Sequence, residues 1–170
     1  KLAYEKHDIP SFLYEEAATA PHKKNLSKIR KGQFEGMEEK MEDPHWKPDF
    51  GDSLHPTAGV TAIGARPFLV AFNVILNTDN LDIAKKIGRR VRHSSGGLRY
   101  CKAMGVAMEE RNLTQVSMNM TNFNKTPLYQ VFELIKAEAK RYGVTVGGSE
   151  VIGMVPMKAL IDTAEYALGI

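Results

Sequence analysis

The chain has 170 residues, of which 43% are hydrophobic and 25% are charged, and its formal net charge is +3. This composition is typical of a folded globular protein, and so small a net charge does not indicate nucleic-acid binding. The single cysteine, Cys101, excludes an internal disulfide and favours a reducing compartment. No apolar run is long enough to cross a bilayer and no signal peptide opens the sequence, so we expect a cytoplasmic protein without membrane contacts.

The first 59 residues predict short elements separated by a long loop. An apolar strand is expected over residues 9–14, with Pro10 near its start or on a sheet edge. Residues 22–31 carry five Lys or Arg and predict a helix with a solvated basic face. Two prolines within residues 43–51 predict a loop, and long loops often carry function. We place a subdomain boundary after residue 59.

The residues from 60 onward predict a more regular architecture. Seven elements are expected in the order strand, helix, strand, strand, helix, strand, helix, and they cover residues 68–76, 79–91, 100–108, 113–120, 126–143, 144–155 and 156–170. The tripeptide Gly147-Gly148-Ser149 is predicted to interrupt the fourth strand. The final helix has its apolar positions at Met157, Leu160, Ile161, Ala164 and Leu168.

The order of the first six elements predicts the fold class. Strand, helix, strand, strand, helix, strand is the split β-α-β unit of ferredoxin-like folds, so residues 60–170 are expected to form an α+β subdomain. Such a subdomain has an antiparallel sheet with both helices on one face. The other face remains free to cover a ligand or a partner.

The basic helix and the loop after it suggest an anion site. Between Leu81 and Lys102 there are seven Lys or Arg and one acid, Asp82. Such a run is often only a solvated surface. The alternative is a site for a carboxylate or phosphate, in which backbone amides of the glycine loop approach the anion. The side chains of this site would be Arg92, His93, Arg99 and Lys102.

Common catalytic and metal motifs are absent. The segment Gly147-Gly148-Ser149-Glu150 lacks the Gly-Lys-Ser/Thr ending of a phosphate-binding loop, and no paired cysteines or His-x-x-x-His predict a metal. His55 and His93 could act as a general base, although a lone histidine is usually structural. Cys101 could have a lowered pKa among these cations, but a buried structural thiol is the more ordinary interpretation.

Five separated segments, in matching order, resemble the formiminotransferase family. They are Trp-Lys-Pro-Asp-Phe-Gly at 46–51, Gly-Ala-Arg-Pro-Phe-Leu-Val-Ala-Phe-Asn at 64–73, Arg-His-Ser-Ser-Gly-Gly-Leu-Arg at 92–99, Asn-Leu-Thr-Gln-Val-Ser-Met-Asn at 112–119 and Glu-Val-Ile-Gly-Met-Val-Pro at 150–156. The resemblance implies that residues 1–59 are the back half of an α/β N-terminal subdomain. Residues 60–170 would be the ferredoxin-like C-terminal subdomain.

The resemblance also implies an activity and a binding site. The family moves the formimino group of N-formimino-L-glutamate to N5 of tetrahydrofolate, its co-substrate, in histidine degradation. Folate lies in a tunnel between the two subdomains and can carry a polyglutamate tail, and we expect a homodimer. The implied folate contacts are Gly51, Asp52, Ser53, His55, Pro56, Thr57, Gly59, Gly96, Gly97, Leu98, Arg99, Tyr100, Lys102 and Gly105.

One family feature has no counterpart in the sequence. The catalytic histidine of the family lies in an Arg-His-x-Gly-x-His-Pro-Arg segment, which is expected upstream of Lys1. We therefore expect this chain to supply folate binding and to be inactive alone. The non-enzymatic alternative is a ferredoxin-like small-molecule or regulatory module. RNA binding is disfavoured because residues 113–119 offer no aromatic side chain for base stacking.

Overall fold

The computed structural model describes all residues, 1–170, and the chain divides into two compact units, Lys1–Arg66 and Pro67–Ile170. The first unit contains α1 (Leu2–His7), β1 (Ser11–Glu15), α2 (Leu26–Ile29), α3 (Met37–Glu42) and β2 (Thr61–Ala65). The division falls after Arg66 rather than after residue 59, because β2 pairs in parallel with β1 and so belongs to the first unit. β2 is a five-residue strand that contains Gly64, and the sequence did not predict it.

The predicted basic helix over residues 22–31 is wrong. Residues Pro21–Lys24 form a 3-10 turn, and α2 begins only after Asn25, whose side chain accepts a hydrogen bond from the Ser27 amide at 3.1 Å. Such a cap starts a new helix and separates it from the turn before it. Lys23, predicted on a solvated face, is buried.

The carboxylate of Asp49 ties the 43–51 loop to the Pro21–Lys24 turn by a buried ion pair and to β1 by a hydrogen bond. Lys23 Nζ lies 3.0 Å from Asp49 Oδ1 and donates a second bond to the Lys47 carbonyl at 2.8 Å. The other carboxylate oxygen of Asp49 accepts the Leu13 amide at 2.7 Å, and the Thr19 hydroxyl also donates to this carboxylate. The loop is irregular, as predicted, except for a short 3-10 helix over Pro44–Trp46, and one carboxylate anchors it.

The second unit confirms the α+β class. It contains β3 (Val70–Leu76), α4 (Leu81–Val91), β4 (Cys101–Met108), β5 (Leu113–Met120), α5 (Leu128–Lys140), β6 (Val146–Ile152) and α6 (Met157–Leu168). Its strands form one antiparallel sheet in the order β4-β5-β3-β6. Alternate residues of β3 and β5 form one core with the buried residues of α4 and α5, so these two helices cover the same sheet face.

The predicted interruption of the last strand is also wrong. β6 runs without a break from Val146 to Ile152. Its register against β3 shifts by one residue, because Leu76 pairs with Val146 whereas Ile75 pairs with Gly148. Gly147 is the extra residue of a β-bulge, a position that glycine tolerates. The glycine pair therefore marks a local irregularity in a continuous strand.

Helix α4 lies unusually close to β4. The β4 residues on the core face are small, and a Cβ at Gly105 would lie 2.3 Å from the Lys85 amide nitrogen. No side chain separates the two backbones at this point. The close approach fixes where α4, and the loop that follows it, meet the sheet.

Helix α6 carries its apolar stripe on the outside. Met157 and Leu168 are each 72% exposed, whereas the helix buries Ala159 and stacks Tyr166 on Tyr129 with ring centroids 4.3 Å apart. The small and polar side of the helix therefore faces the rest of the unit. No helix of the chain has both the length and the apolar character needed to span a membrane.

Candidate functional site

The predicted ligand loop of the first unit, residues 51–59, closes on itself. His55 and Gly59 exchange backbone hydrogen bonds of 3.2 and 3.0 Å. His55 Nδ1 accepts the amides of Thr57, at 3.3 Å, and Ala58, at 3.0 Å. When Nδ1 accepts these bonds in a neutral ring, the proton of the imidazole is on Nε2. Nε2 can then donate a hydrogen bond but cannot accept a proton. The geometry therefore favours a structural role for His55 over a general base.

Part of this loop borders a cavity of about 250 Å³ within the first unit. Leu54, Ala58 and Gly59 line it together with Phe34 and Arg30. Phe34 is half exposed, and its ring lies against Gly59, where a Cβ would come within 2.9 Å of it. The volume of this cavity lies below the range typical of pockets for drug-sized ligands.

The other predicted residues of the loop are not on this cavity. Asp52 and Ser53 line a separate concavity with residues of α3, whereas Pro56 and Thr57 are exposed. Gly51 packs against Tyr4 and Pro10. Phe34 and Arg30 were not predicted as site residues, because their segment has the composition of an ordinary charged surface. They are also far from residues 51–59 in the sequence, so the sequence does not indicate the contact.

In the second unit, three backbone amides of the glycine loop are bound within the turn itself. The amides of Gly96, Gly97 and Leu98 donate to carbonyls of His93, Arg92 and Val91, at 3.0, 3.0 and 2.9 Å. At Gly97 a Cβ would lie 2.5 Å from the Arg90 carbonyl oxygen, so glycine is needed there for the tight turn. The amides of the two glycines and of Leu98 are therefore already used within the turn.

Cationic side chains nevertheless gather around Tyr100. Its ring centroid lies 5.5 Å from the Arg99 guanidinium carbon and 5.7 Å from Lys125 Nζ. Thr121 holds Tyr100 in place by donating its amide to the Tyr100 carbonyl at 2.8 Å. We call Arg99, Tyr100 and Lys125 the cationic cluster. Lys125 was missed because it lies beyond β5, far from the loop in the sequence.

The remaining predicted residues of this segment separate onto different faces. Lys102 is exposed and pairs with Asn119 on the sheet face that the helices leave uncovered. Gly105 faces α4, whose backbone fills the space beside it. His93 is exposed, and Arg92 donates Nε–H to Ser95 Oγ at 2.7 Å. Lys102 is therefore available to a ligand, whereas Gly105 is not.

The sheet face opposite the helices, which we call the helix-free face, carries a polar centre. Its middle row crosses all four strands as Met104, Ser117, Asn73 and Glu150, and the next row contains Gln115. Asn73 is 9% exposed. The sequence does signal this face, since polar residues occupy every second position of β5 from Gln115 to Asn119. No aromatic residue lies on it.

Cys101 is a structural thiol. It is 1% exposed, and burial raises the pKa of its thiol to about 12. We expect negligible alkylation by iodoacetamide in the native chain at pH 8, and full alkylation in urea, because the thiolate is the reactive form. A thiol count by mass spectrometry before and after unfolding measures this. Rapid labelling of the native protein would contradict the burial of Cys101.

Comparisons with known proteins all point to one family. The pattern of the formiminotransferase domain matches residues 71–169, and that of its N-terminal subdomain matches residues 1–66. A glutamate formimidoyltransferase of Streptococcus pyogenes serotype M1 is 64% identical over 161 residues, which are 94% of this chain and 54% of that protein.

More distant relatives carry related names. A glutamate formimidoyltransferase of Thermoplasma acidophilum is 46% identical over 170 residues, covering 99% of this chain and 56% of its own length. The formimidoyltransferase-cyclodeaminase of Mus musculus is 39% identical over 169 residues, 95% of this chain and 31% of that protein. The chain thus spans about half the length of the two glutamate formimidoyltransferases.

Proposed function

The chain belongs to the formiminotransferase family, and from this premise we propose that it takes part in moving the formimino group of N-formimino-L-glutamate to N5 of tetrahydrofolate. The observation that carries the proposal is the 64% identity to a glutamate formimidoyltransferase over 94% of the chain. The reaction belongs to histidine degradation. The ligands of the protein are then formiminoglutamate and folate, with or without a polyglutamate tail. The protein assembles as a homodimer.

The chemistry needs a base and precise orientation. N5 of tetrahydrofolate attacks the formimino carbon and loses its proton, while the bond from that carbon to the glutamate nitrogen breaks and the nitrogen is protonated. Holding both molecules together supplies much of the rate enhancement. Within this chain His55 Nδ1 is already occupied by two amides. We propose that the base is the catalytic histidine of the family rather than His55, and that this chain supplies ligand binding.

Two groups of residues are proposed to bind folate. In the first unit they are the residues of the 51–59 loop, with Phe34 beside Gly59 as an apolar contact. In the second unit they are the cationic cluster and Lys102, whose positive charges suit the carboxylates of a glutamate tail. Gly105 is left out of this proposal because its side faces α4.

Calorimetry with tetrahydrofolate under anaerobic conditions tests the proposal. We expect the chain to bind tetrahydrofolate, to bind its triglutamate form more tightly, and to show no formimino transfer alone. Replacing Arg99 and Lys125 by alanine should remove the preference for the triglutamate, whereas replacing the exposed Lys140 should not. A chain that ignores tetrahydrofolate would instead fit a regulatory module of the ferredoxin-like type, and normal turnover would refute the missing-base assignment.

A further inference from the structure

The helix-free face contains a hydrogen-bond acceptor that the fold itself does not use. Gln115 Oε1 is fully buried and accepts no hydrogen bond. Its neighbours across the sheet are Val106 and Ile75, which have no donor in their side chains. A buried acceptor without a donor lowers the stability of the folded state, so such groups are rare and often mark a function.

Two further polar groups lie beside Gln115. Asn73, opposite Ser117, occupies the next row of the same face and is only 9% exposed. Glu150 is directly opposite Asn73 on β6, and none of the ion pairs in the structure involves it. Directly opposite residues have Cβ atoms about 5 Å apart, and diagonal neighbours are about 7 Å apart. Asn73 is therefore close to both Gln115 and Glu150, whereas Gln115 and Glu150 are two strands apart and can contact one planar ligand only if that ligand spans Asn73. We call these three side chains, which lie in two neighbouring rows, the acceptor row.

The chemistry of the acceptor row defines its ligand. A carboxylate accepts two parallel N–H bonds from a planar N–C–N fork, as it does from arginine, and the carboxamide oxygens of Gln115 and Asn73 accept further N–H donors. One cation of this face, Lys102, lies in the row next to that of Asn73 and Glu150. Its cross-strand neighbour is Asn119 and not a residue of the acceptor row. The row therefore favours a donor-rich planar edge over an anion.

We infer that the acceptor row binds the planar N–C–N edge of a substrate, with Glu150 as the two-pronged acceptor and Gln115 as a buried specificity contact. This inference rests on the proposed function, which offers two sources of such an edge. One is the 2-amino-4-oxo-pyrimidine ring of the pteridine, with its ring N–H and amino group. The other is the formimino group of formiminoglutamate, which is an amidine.

The test compares matched ligands and matched variants. Tetrahydrofolate is compared with p-aminobenzoylglutamate, which lacks the pteridine, and formiminoglutamate with glutamate, which lacks the amidine. The variants are Glu150→Gln, Gln115→Leu and, as a control with the same loss of charge at an exposed site, Glu110→Gln. Binding is measured by calorimetry and folding by thermal unfolding.

We expect Glu150→Gln to weaken binding of an edge-bearing ligand about 10- to 100-fold, because a charge-assisted pair is lost, and Glu110→Gln to leave it unchanged. Gln115→Leu should weaken the same ligand about tenfold while leaving the unfolding temperature unchanged or higher, because an unsatisfied buried acceptor is removed. A residue that served only structure would not combine weaker binding with undiminished stability.

Each outcome decides the matter. Loss confined to tetrahydrofolate assigns the row to the pteridine, and loss confined to formiminoglutamate assigns it to the amidine; either supports the inference. Wild-type affinity for both ligands in both variants would overturn the inference while leaving the proposed function intact. A wild-type chain that binds neither ligand would refute the proposed function, and the inference with it.

Discussion

Replacing Asp49 with alanine is expected to lower the free energy of unfolding of the first unit by about 3 kcal/mol. The side chains of Asp49 and Lys23 are 6% and 9% exposed, so the substitution leaves a buried ammonium without its counter-charge. It also frees the Leu13 amide of β1 from its acceptor. Trp46 is the only tryptophan and lies in this unit, so its fluorescence during urea unfolding measures the effect.

Two controls separate the ion pair from a general effect of substitution. Asp52→Ala removes an exposed acid from the same segment and should change the free energy of unfolding by less than about 0.5 kcal/mol. The double variant Lys23→Met with Asp49→Leu should recover part of the loss, because an apolar pair needs no counter-charge, whereas the Leu13 amide still lacks its acceptor. Equal effects of Asp49→Ala and Asp52→Ala would contradict the buried pair.

The pH dependence of the first unit follows from the same carboxylate. Burial raises the pKa of Asp49, but hydrogen bonds from Thr19, the Leu13 amide and Lys23, together with the charge of Lys23, outweigh it and hold the pKa below its usual value. The stabilisation is therefore complete above about pH 4 and is lost as the pH falls through the lowered folded-state pKa. The urea midpoint of the wild type should fall in acid more steeply than that of Asp49→Ala.

Replacing Gly105 with alanine is expected to destabilise the second unit by about 3 kcal/mol, at the upper end for overpacking. The new Cβ would lie 2.3 Å from the Lys85 amide nitrogen and 2.5 Å from the Ala84 carbonyl carbon. Both are backbone atoms, so α4 as a whole must move away from β4. Far-UV circular dichroism during urea unfolding measures the change.

Gly96→Ala is the matched control for this substitution. Gly96 has a positive φ of 90°, but no atom lies within 4 Å of its added Cβ. It should therefore show only the backbone strain of the left-handed region, about 1 kcal/mol. If Gly105→Ala were no more destabilising than Gly96→Ala, the close contact between α4 and β4 would be wrong.

The sequence was most informative where one physical pattern covers a whole element. The strands β3, β4 and β5 and the helices α4 and α5 were predicted because apolar residues recur at the spacing of the buried face over seven or more residues. β2 has five residues with a glycine, and its partner β1 lies some fifty residues earlier, so periodicity gave no signal. The bulge at Gly147 likewise depends on the register of β6 against β3, which one strand's sequence cannot show.

The candidate site was less predictable, because composition does not show where a polar group points. The glycine loop was expected to offer amides to an anion, yet its amides donate to carbonyls of the α4 C-terminus and the turn after it. Lys23 was predicted to be part of a solvated basic run, because its partner Asp49 lies far along the chain and the local sequence does not reveal the pair. Asn73 lies in an apolar run of the sequence and was not predicted as a site residue. The strand pairing places it opposite Glu150.

The two units have hydrophobic cores of very different size. Four buried hydrophobic residues form the core of the first unit, Phe12, Ile29, Met37 and Met41, whereas seventeen form that of the second. Since buried apolar contacts set local stability, mild heating should expose cleavage sites before Arg66 while Pro67–Ile170 still resists trypsin. Digestion alone would then yield the second unit as a shortened chain. This chain keeps the acceptor row and the cationic cluster and needs no new expression clone.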